Sequence, residues 1–382
     1  RDINIDPRRG ETEDHPLGLI KPDVSAEIIL ELKRQGMTAD SVPQAGQKVL
    51  IQPNGNVSID VTDQVHPSVA YAAALAARVV GLDIAGIDIV VDDISRPLEE
   101  QGGAIIEVNA SPGLLAHLKP AVGKPREIGS AIVGNLFGPD ESGRIPIVGV
   151  TGRRDTALIA RMVGCMLRLT GVHTGVVNAN GLYLDERKVS SANSMNFDAG
   201  ERLLINRTVQ AAVFESDARM ILTEGLAYDR CTVGIVTDMD GLETLGEYHI
   251  EDMDALANVI RAQVDVVMPH GAAVLNAAVT EVADLARLSD GEVIFYAEDH
   301  ALATVAEHRA EGNRAVFLRD GAIVLAEGGD ETMLLALSAL KPATAAFPGA
   351  VLAAVAATWA LGMEPGLIAA GLRTCDASAA NH

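Results

Sequence analysis

Beyond Arg144 the chain repeats one pattern: the apolar runs IPIVGVTG, HTGVVNANG, AAVFES, CTVGIVTD, AAVLNA and EVIFYA follow one another with a helix-length segment between each pair. This alternation constrains the fold more than any other feature, because parallel neighbouring strands need a crossover long enough to hold a helix. It predicts an α/β unit, a mostly parallel sheet with helices on both faces. Residues 156–169 are expected as the first helix, RAVFLRDGAIVLAEG as a hairpin around Asp320-Gly321, and AVLAAVAATWALG as an alanine-rich helix near the end. No repeat of solenoid period underlies the pattern.

The front portion has a different rhythm. Residues 23–35 space apolar side chains as a helix does, with Ser25, Glu27 and Glu31 near its start. Asn54-Gly55 marks a hairpin turn between KVLIQ and VSIDV, and residues 67–80 read as a helix opened by Pro67 and closed by Gly81. The runs AGIDIVV and AIIEVNASPGL then read as two buried strands. Side chains alternate along a strand, so Glu107 and Asn109 share a face and set two oxygen ligands side by side. Asp88 falls mid-strand in the other run, where a carboxylate is costly unless a cation or hydrogen bonds meet it. Three hard oxygen ligands on two strands make a candidate site for a magnesium nucleotide. The alternative is that Asp88 and Glu107 cap strand ends and form surface pairs. The turn Ser111-Pro112-Gly113 either directs backbone N–H groups at an anion or merely reverses the chain.

Composition narrows the class. With 382 residues, 48% of them hydrophobic, 36 glycines and 3% aromatic, the chain fits two or three Ala/Val/Ile/Leu-rich cores. A net charge of -22 argues against binding a nucleic-acid backbone; it attracts cationic substrates or simply keeps the protein in solution. No apolar run approaches membrane-spanning length, and the charged start RDINIDPRRGETEDHP is unlike a signal peptide, so no membrane partner is expected. Cys165, Cys231 and Cys375 lie far apart without metal-ligand spacing and read as reduced thiols of a cytoplasmic protein. Cys165, Met166 and Trp359 are assigned to core, and His66, His117 and His270 receive no role. The first residue, Arg1, begins what reads as a domain interior, so a missing front half is expected. Residues 119–143, with Pro120, Gly123, Pro125 and GPDESG around the helix-like EIGSAIVGNLF, read as a linker.

The segments INIDPRRG, DVTDQVHP, LDIAGIDIVVDDISRPL, IIEVNASPGL, KPREIGSAIVGNLF, RIPIVGVTG, EGLAYDRCTVGIVTD and RAVFLRDGAIVLAEG closely resemble the cyanophycin synthetases, across essentially the whole chain. The resemblance implies the C-terminal half of an ATP-grasp domain, of α+β type, over residues 1–118 and a linker over 119–143. It implies a Mur-ligase-like central domain over 144–382. It further implies an ATP-dependent ligase that activates the terminal carboxylate of an aspartate backbone as an acyl phosphate. Asp88, Glu107 and Asn109 would hold Mg2+ and ATP, Ser111 and Gly113 would assist in binding, and Glu107 and Asn109 would be catalytic. The implied partners are an aspartate/arginine polymer, β-aspartyl-arginine or the free amino acids, and further copies of the chain in a homo-oligomer.

In the second domain the resemblance breaks. Where the family carries a GTNGKT-like phosphate loop, Gly152 is followed by Arg153, Arg154, Asp155, Thr156 and Ala157. Thr156 replaces the lysine that meets the β and γ phosphates, Ala157 the magnesium-binding hydroxyl and Asp155 the second glycine. A carboxylate there repels a triphosphate. Downstream, Asp238, Glu243 and Thr244 stand at the family's Asn and Asp-His positions, and Ala278 and Val279 at the aspartates expected after Asn276. Only Glu215 keeps a metal-ligand identity. Arg153 and Arg154 precede a helix N-terminus, as an anion site or as solvated loop charges. With the chain stopping where a third lobe would begin, the pattern resembles type 2 synthetases, which join preformed β-aspartyl-arginine dipeptides. The alternatives are a two-activity synthetase adding aspartate and arginine, which requires a working phosphate loop, and a non-catalytic scaffold partner. The segment PNGNVSIDVTD reads shorter than the family's equivalent, which keeps the last reading open.

Overall fold

The computed structural model describes residues 9–10, 15, 17–19, 26–50, 58–139 and 141–375. Its chain divides into two units, residues 1–143 and 144–382.

The first unit holds α1 (Ala26–Arg34), α2 (Pro67–Val80), β1 (Ala85–Val90), β2 (Ala104–Ala110) and α3 (Ile128–Leu136). The start of α2 follows from its sequence: Pro67 occupies the first turn and His66 caps it, the ring accepting from the Ser68 N–H at 3.2 Å. Gly81 ends the helix in the left-handed region, φ 86°. The expected turn at Asn54-Gly55, and residue 25 at the start of α1, lie outside the described residues. β1 and β2 pair antiparallel, and the register passes from Asp88 opposite Glu107 to Ile89 opposite Ile105, so β2 carries an extra residue beside that pair. Burial of both strands was the sequence expectation, and it fails. Asp88 and Glu107 are exposed and Asn109 half-buried, while Val90 and Ile106 are 65% and 62% exposed. A two-stranded sheet packed mainly against α2 leaves many of its side chains in solvent.

The second unit is built on an eleven-stranded sheet. Its strands are β3 (Ile147–Thr151), β4 (Thr174–Asn178), β5 (Gly181–Leu184), β6 (Arg187–Ser190), β7 (Ala211–Ser216), β8 (Cys231–Val236), β9 (Val267–Asn276), β10 (Glu292–Ala297), β11 (Arg314–Arg319), β12 (Ala322–Glu327) and β13 (Asp330–Ala336). Their spatial order is β13-β12-β11-β10-β9-β8-β3-β7-β4-β5-β6. From β11 to β4 every pairing is parallel, and antiparallel pairs close both edges. Every residue of β3, β4 and β7 is buried, as befits strands covered on both faces. On one face Val148, Val150, Val213 and Ile235 pack with α4 (Thr156–Arg168), α9 (Pro348–Ala360) and α10 (Pro365–Thr374). On the other, Ile147, Phe214, Val236 and Leu275 meet α5 (Phe197–Ile205), α6 (Ala218–Thr223) and α7 (Met253–Ile260); α8 (Ala303–Ala310) follows β10. The predicted α/β class and the helices at 156–169 and near the end are all present. The hairpin turn at Asp320-Gly321 has both φ positive, 50° and 73°, as its sequence demands.

The thiol expectation is corrected. Cys165 on α4 and Cys375 just past α10 form a disulfide, Cα–Cα 6.0 Å, although 210 residues separate them. α10 packs beside α4, and tertiary packing brings together what linear spacing kept apart. Cys231 alone is free; it is buried, which pushes its thiol up to about 12. The cysteines therefore lend no support to a cytoplasmic location. Among the described residues no helix is long and apolar enough to cross a membrane.

Candidate functional site

In the first unit, β1 and β2 bring together Asp88, Glu107 and Asn109. Asp88 faces Glu107 across the ladder, and Glu107 Oε1 accepts from Asn109 Nδ2 at 3.0 Å. The neighbouring Glu107 carboxylate, with some desolvation, pushes the Asp88 carboxyl above its usual range. Two carboxylates on adjacent strands disfavour double ionisation. A divalent cation relieves that crowding, and the donors are hard oxygens: two carboxylates and the Oδ1 of an amide whose nitrogen is already engaged. By donor chemistry the residues present fit Mg2+. No three His, Cys, Asp or Glu side chains converge as a metal cluster among the described residues, so the amide oxygen is needed to complete the set.

Ser111 leaves β2 with φ 52° and stays exposed. Gly113 lines a groove of about 430 Å³ with Gly86, Ile87, Pro112, His117 and Asn135. Sequence reasoning missed one constellation here. Arg126 grips Asp60 and Asp63, its Nη2 donating to Asp60 Oδ2 at 2.7 Å and its Nη1 to Asp63 Oδ1 at 2.9 Å. The signal was the complementary charge of the IDVTD and KPREIG segments, which lie about 60 residues apart in the chain.

In the second unit the C-terminal ends of β3, β7, β8 and β9 present the loop after Gly152 together with Glu215, Asp238 and Asn276. Strand order reverses around β3, the place where open α/β sheets bind ligands. The side chains of Glu215, Asp238 and Asn276 and the amides of Arg153 and Arg154 are all engaged within the chain there. Asp238, 1% exposed, accepts from Arg153 N at 3.1 Å, Arg154 N at 2.9 Å, Asp240 N at 3.0 Å and the Thr237 hydroxyl at 2.7 Å. Desolvation raises its carboxyl, but the Thr237 hydroxyl and the three N–H donors outweigh it and hold Asp238 below the usual range. Two amides of this loop, those of Arg153 and Arg154, thus cradle a carboxylate of the same chain. Gly152 permits this approach: a Cβ there would lie 2.8 Å from Asp238 Oδ2 and nearer still to the Thr237 hydroxyl.

Both loop arginines are ion-paired, Arg153 Nη1 to Glu243 at 2.9 Å and Arg154 Nε to Asp240 at 2.6 Å. Thr156 donates to Glu215 Oε1 at 2.6 Å, and the Ala179 N–H donates to Glu215 Oε2 at 2.6 Å. Burial pushes the Glu215 carboxyl up despite these two bonds. Asn276 Nδ2 donates to the Thr237 carbonyl at 2.9 Å.

No family model matches the chain. Individual proteins do, and they give the class first: the chain is related to synthetases. It is similar to the cyanophycin synthetases, at about 34% identity over most of its length. It is 35% identical to the cyanophycin synthetase of Crocosphaera subtropica over 387 residues, 98% of this chain and 44% of that one. To the cyanophycin synthetase of a Nostoc species it is 34% identical over 332 residues, 86% of this chain and 36% of that one. The chain thus spans about two fifths of the length of these relatives. Among solved structures, a UDP-N-acetylmuramoyl-L-alanyl-D-glutamate–2,6-diaminopimelate ligase is 12% identical with a TM-score of 0.44, covering 60% of this chain and 46% of that one.

Proposed function

We infer that the chain forms part of an ATP-dependent amide ligase that makes an aspartate/arginine polymer from β-aspartyl-arginine units. In this reading residues 1–118 belong to an ATP-grasp domain, 119–143 form a linker and 144–382 a Mur-ligase-like domain that packs and oligomerises without turning over nucleotide. Asp88, Glu107 and Asn109 hold Mg2+ with ATP. The bound ion supplies neutralising charge to the phosphoryl oxygens. Glu107 and Asn109 orient that ion from one face of β2, and Asp88 closes the set from β1. The Ser111–Gly113 turn aims N–H groups at the carboxylate to be activated.

One observation supports this assignment over a two-activity enzyme: Asp238 occupies the amides of Arg153 and Arg154 in the second unit. The test is turnover by the complete gene product. Polymerisation of β-aspartyl-arginine with ATP, with no reaction on free aspartate plus arginine, is the expected result. Reaction on the free amino acids would establish the two-activity enzyme, and absence of magnesium-ATP binding would establish a scaffold. Glu107→Ala is expected to abolish turnover while leaving the unfolding transition in place.

A further inference from the structure

Arg126 is held in a way that a merely solvated arginine is not. Its Nε donates to both Asp60 oxygens at 3.0 and 3.1 Å, its Nη2 to Asp60 Oδ2 at 2.7 Å and its Nη1 to Asp63 Oδ1 at 2.9 Å. Asp60 also accepts from the Thr62 hydroxyl at 2.6 Å and from the Thr62 and Lys124 N–H groups at 3.2 and 3.3 Å. Its side chain is only 8% exposed. The backbone reinforces the clasp: Asp60 N bonds Val122 O at 2.8 Å, Ala121 N bonds Ser58 O at 2.9 Å, and Arg126 N bonds His117 O at 2.9 Å. The segment so anchored is the one that leaves β2 through Ser111–Gly113. The turn is therefore fixed at one end by the strand carrying Glu107 and Asn109, and at the other by Arg126 on Asp60.

We propose that Arg126 and Asp60 are positioning residues for the reaction, fixing the Ser111–Gly113 turn so that the carboxylate to be activated lies in line with the transferred phosphoryl group. This rests on the function proposed above. A lysine cannot replace the arginine fully, because a planar fork is needed to meet two oxygens of one carboxylate and a second carboxylate together.

The test compares Arg126→Ala, Arg126→Lys, Asp60→Asn, the Arg126→Ala/Asp60→Asn pair and Glu107→Ala in the complete gene product, with ATP, Mg2+ and β-aspartyl-arginine. Misplacing a reacting group by about 1 Å lowers rate on the order of 100-fold. Arg126→Ala and Asp60→Asn should each lower kcat to that extent. KM for ATP and the Mg2+ concentration for half activity should stay within about twofold, as for any interaction realised only in the transition state. The pair should be no slower than the worse single variant, since both break one contact, and Arg126→Lys should recover part of the rate. Wild-type kcat in folded Arg126→Ala, a loss that merely tracks the folded fraction, a matching rise in KM for ATP, or additive losses in the pair would overturn the proposal. If the alanine variant fails to fold, Arg126→Lys decides by the same criteria. Activity surviving in Glu107→Ala would remove the functional reading and this proposal with it. Silence in Glu107→Ala beside full kcat in Arg126→Lys would remove this proposal alone.

Discussion

Replacing Asp238 with asparagine keeps the shape of the side chain and changes only what it can accept. Asp238 Oδ2 receives the Arg154 N–H and the Thr237 hydroxyl, Oδ1 receives the Asp240 N–H, and the Arg153 N–H is shared between them. An amide nitrogen in place of Oδ2 confronts the Arg154 N–H; in place of Oδ1 it confronts the Asp240 N–H. One inward-facing donor therefore loses its acceptor in either orientation, which costs about 1–3 kcal/mol. The surviving bonds lose charge assistance, about 1 kcal/mol more, partly offset because no charge is buried. A net loss of about 2–3 kcal/mol follows, roughly 4–12 °C in Tm for a unit of this size.

The single tryptophan, Trp359, lies on α9 with the Arg314 guanidinium 4.6 Å from its ring centroid, so its fluorescence reports unfolding of the second unit. Because the folded-state pKa of Asp238 is depressed, its stabilisation is complete above the unfolded carboxylate range and is lost as pH falls through the folded value. The gap between wild type and Asp238→Asn should be full at pH 7 and narrow below about pH 4. A variant within 0.5 kcal/mol of wild type at pH 7, on the order of ordinary surface changes, or a gap that widens on acidification, would refute the claim that this carboxylate holds the loop.

Arg154→Ala removes an exposed pair, 67% and 45% open at its two side chains, and should shift stability by less than about 0.5 kcal/mol with turnover unchanged; a large rate loss would restore an anion-binding role to this loop. Glu215→Gln can keep both bonds by turning its oxygen to Ala179 and its nitrogen to the Thr156 hydroxyl. Since burial raises the Glu215 pKa, the folded state favours the protonated form, and wild-type stability falls as pH rises through the window above the unfolded value. The glutamine variant should lack that decline, and unfolding curves at pH 5 and pH 8 would reveal whether it does. Cys165→Ser opens a 210-residue loop in the unfolded chain, a loss of about 5 kcal/mol by chain entropy. Alkylation in denaturant should find Cys231 as the only reactive cysteine without reductant and all three with it. Gly152→Ala meets both φ 142° and the Asp238 carboxylate, and should cost about 2–4 kcal/mol in thermal unfolding.

The central sheet was legible because a fully covered strand must be continuously apolar, and IPIVGVTG or CTVGIVTD fit little else. Its edges were not. β5, β6 and β13 are short or polar, and only their partners give them a reason to extend. The shared face of Glu107 and Asn109 follows from alternation alone, whereas their exposure depends on which elements cover the ladder, which no local pattern states. Position 238 was flagged for holding the wrong residue type for a nucleotide site. That its carboxylate turns inward onto the Arg153 and Arg154 amides depends on β8 lying beside β3, a tertiary fact. The same holds for Arg126 with Asp60 and for the two bridged cysteines.

The wiring of the Gly152 loop also limits what this chain can become. Freeing the loop amides by changing Asp238 strands donors before any phosphate arrives, and a lysine at 156 removes the hydroxyl that holds Glu215. Neither of these substitutions opens the pocket without first weakening the protein. Accommodating a phosphate there would take several coordinated changes, each disadvantageous when it appears alone.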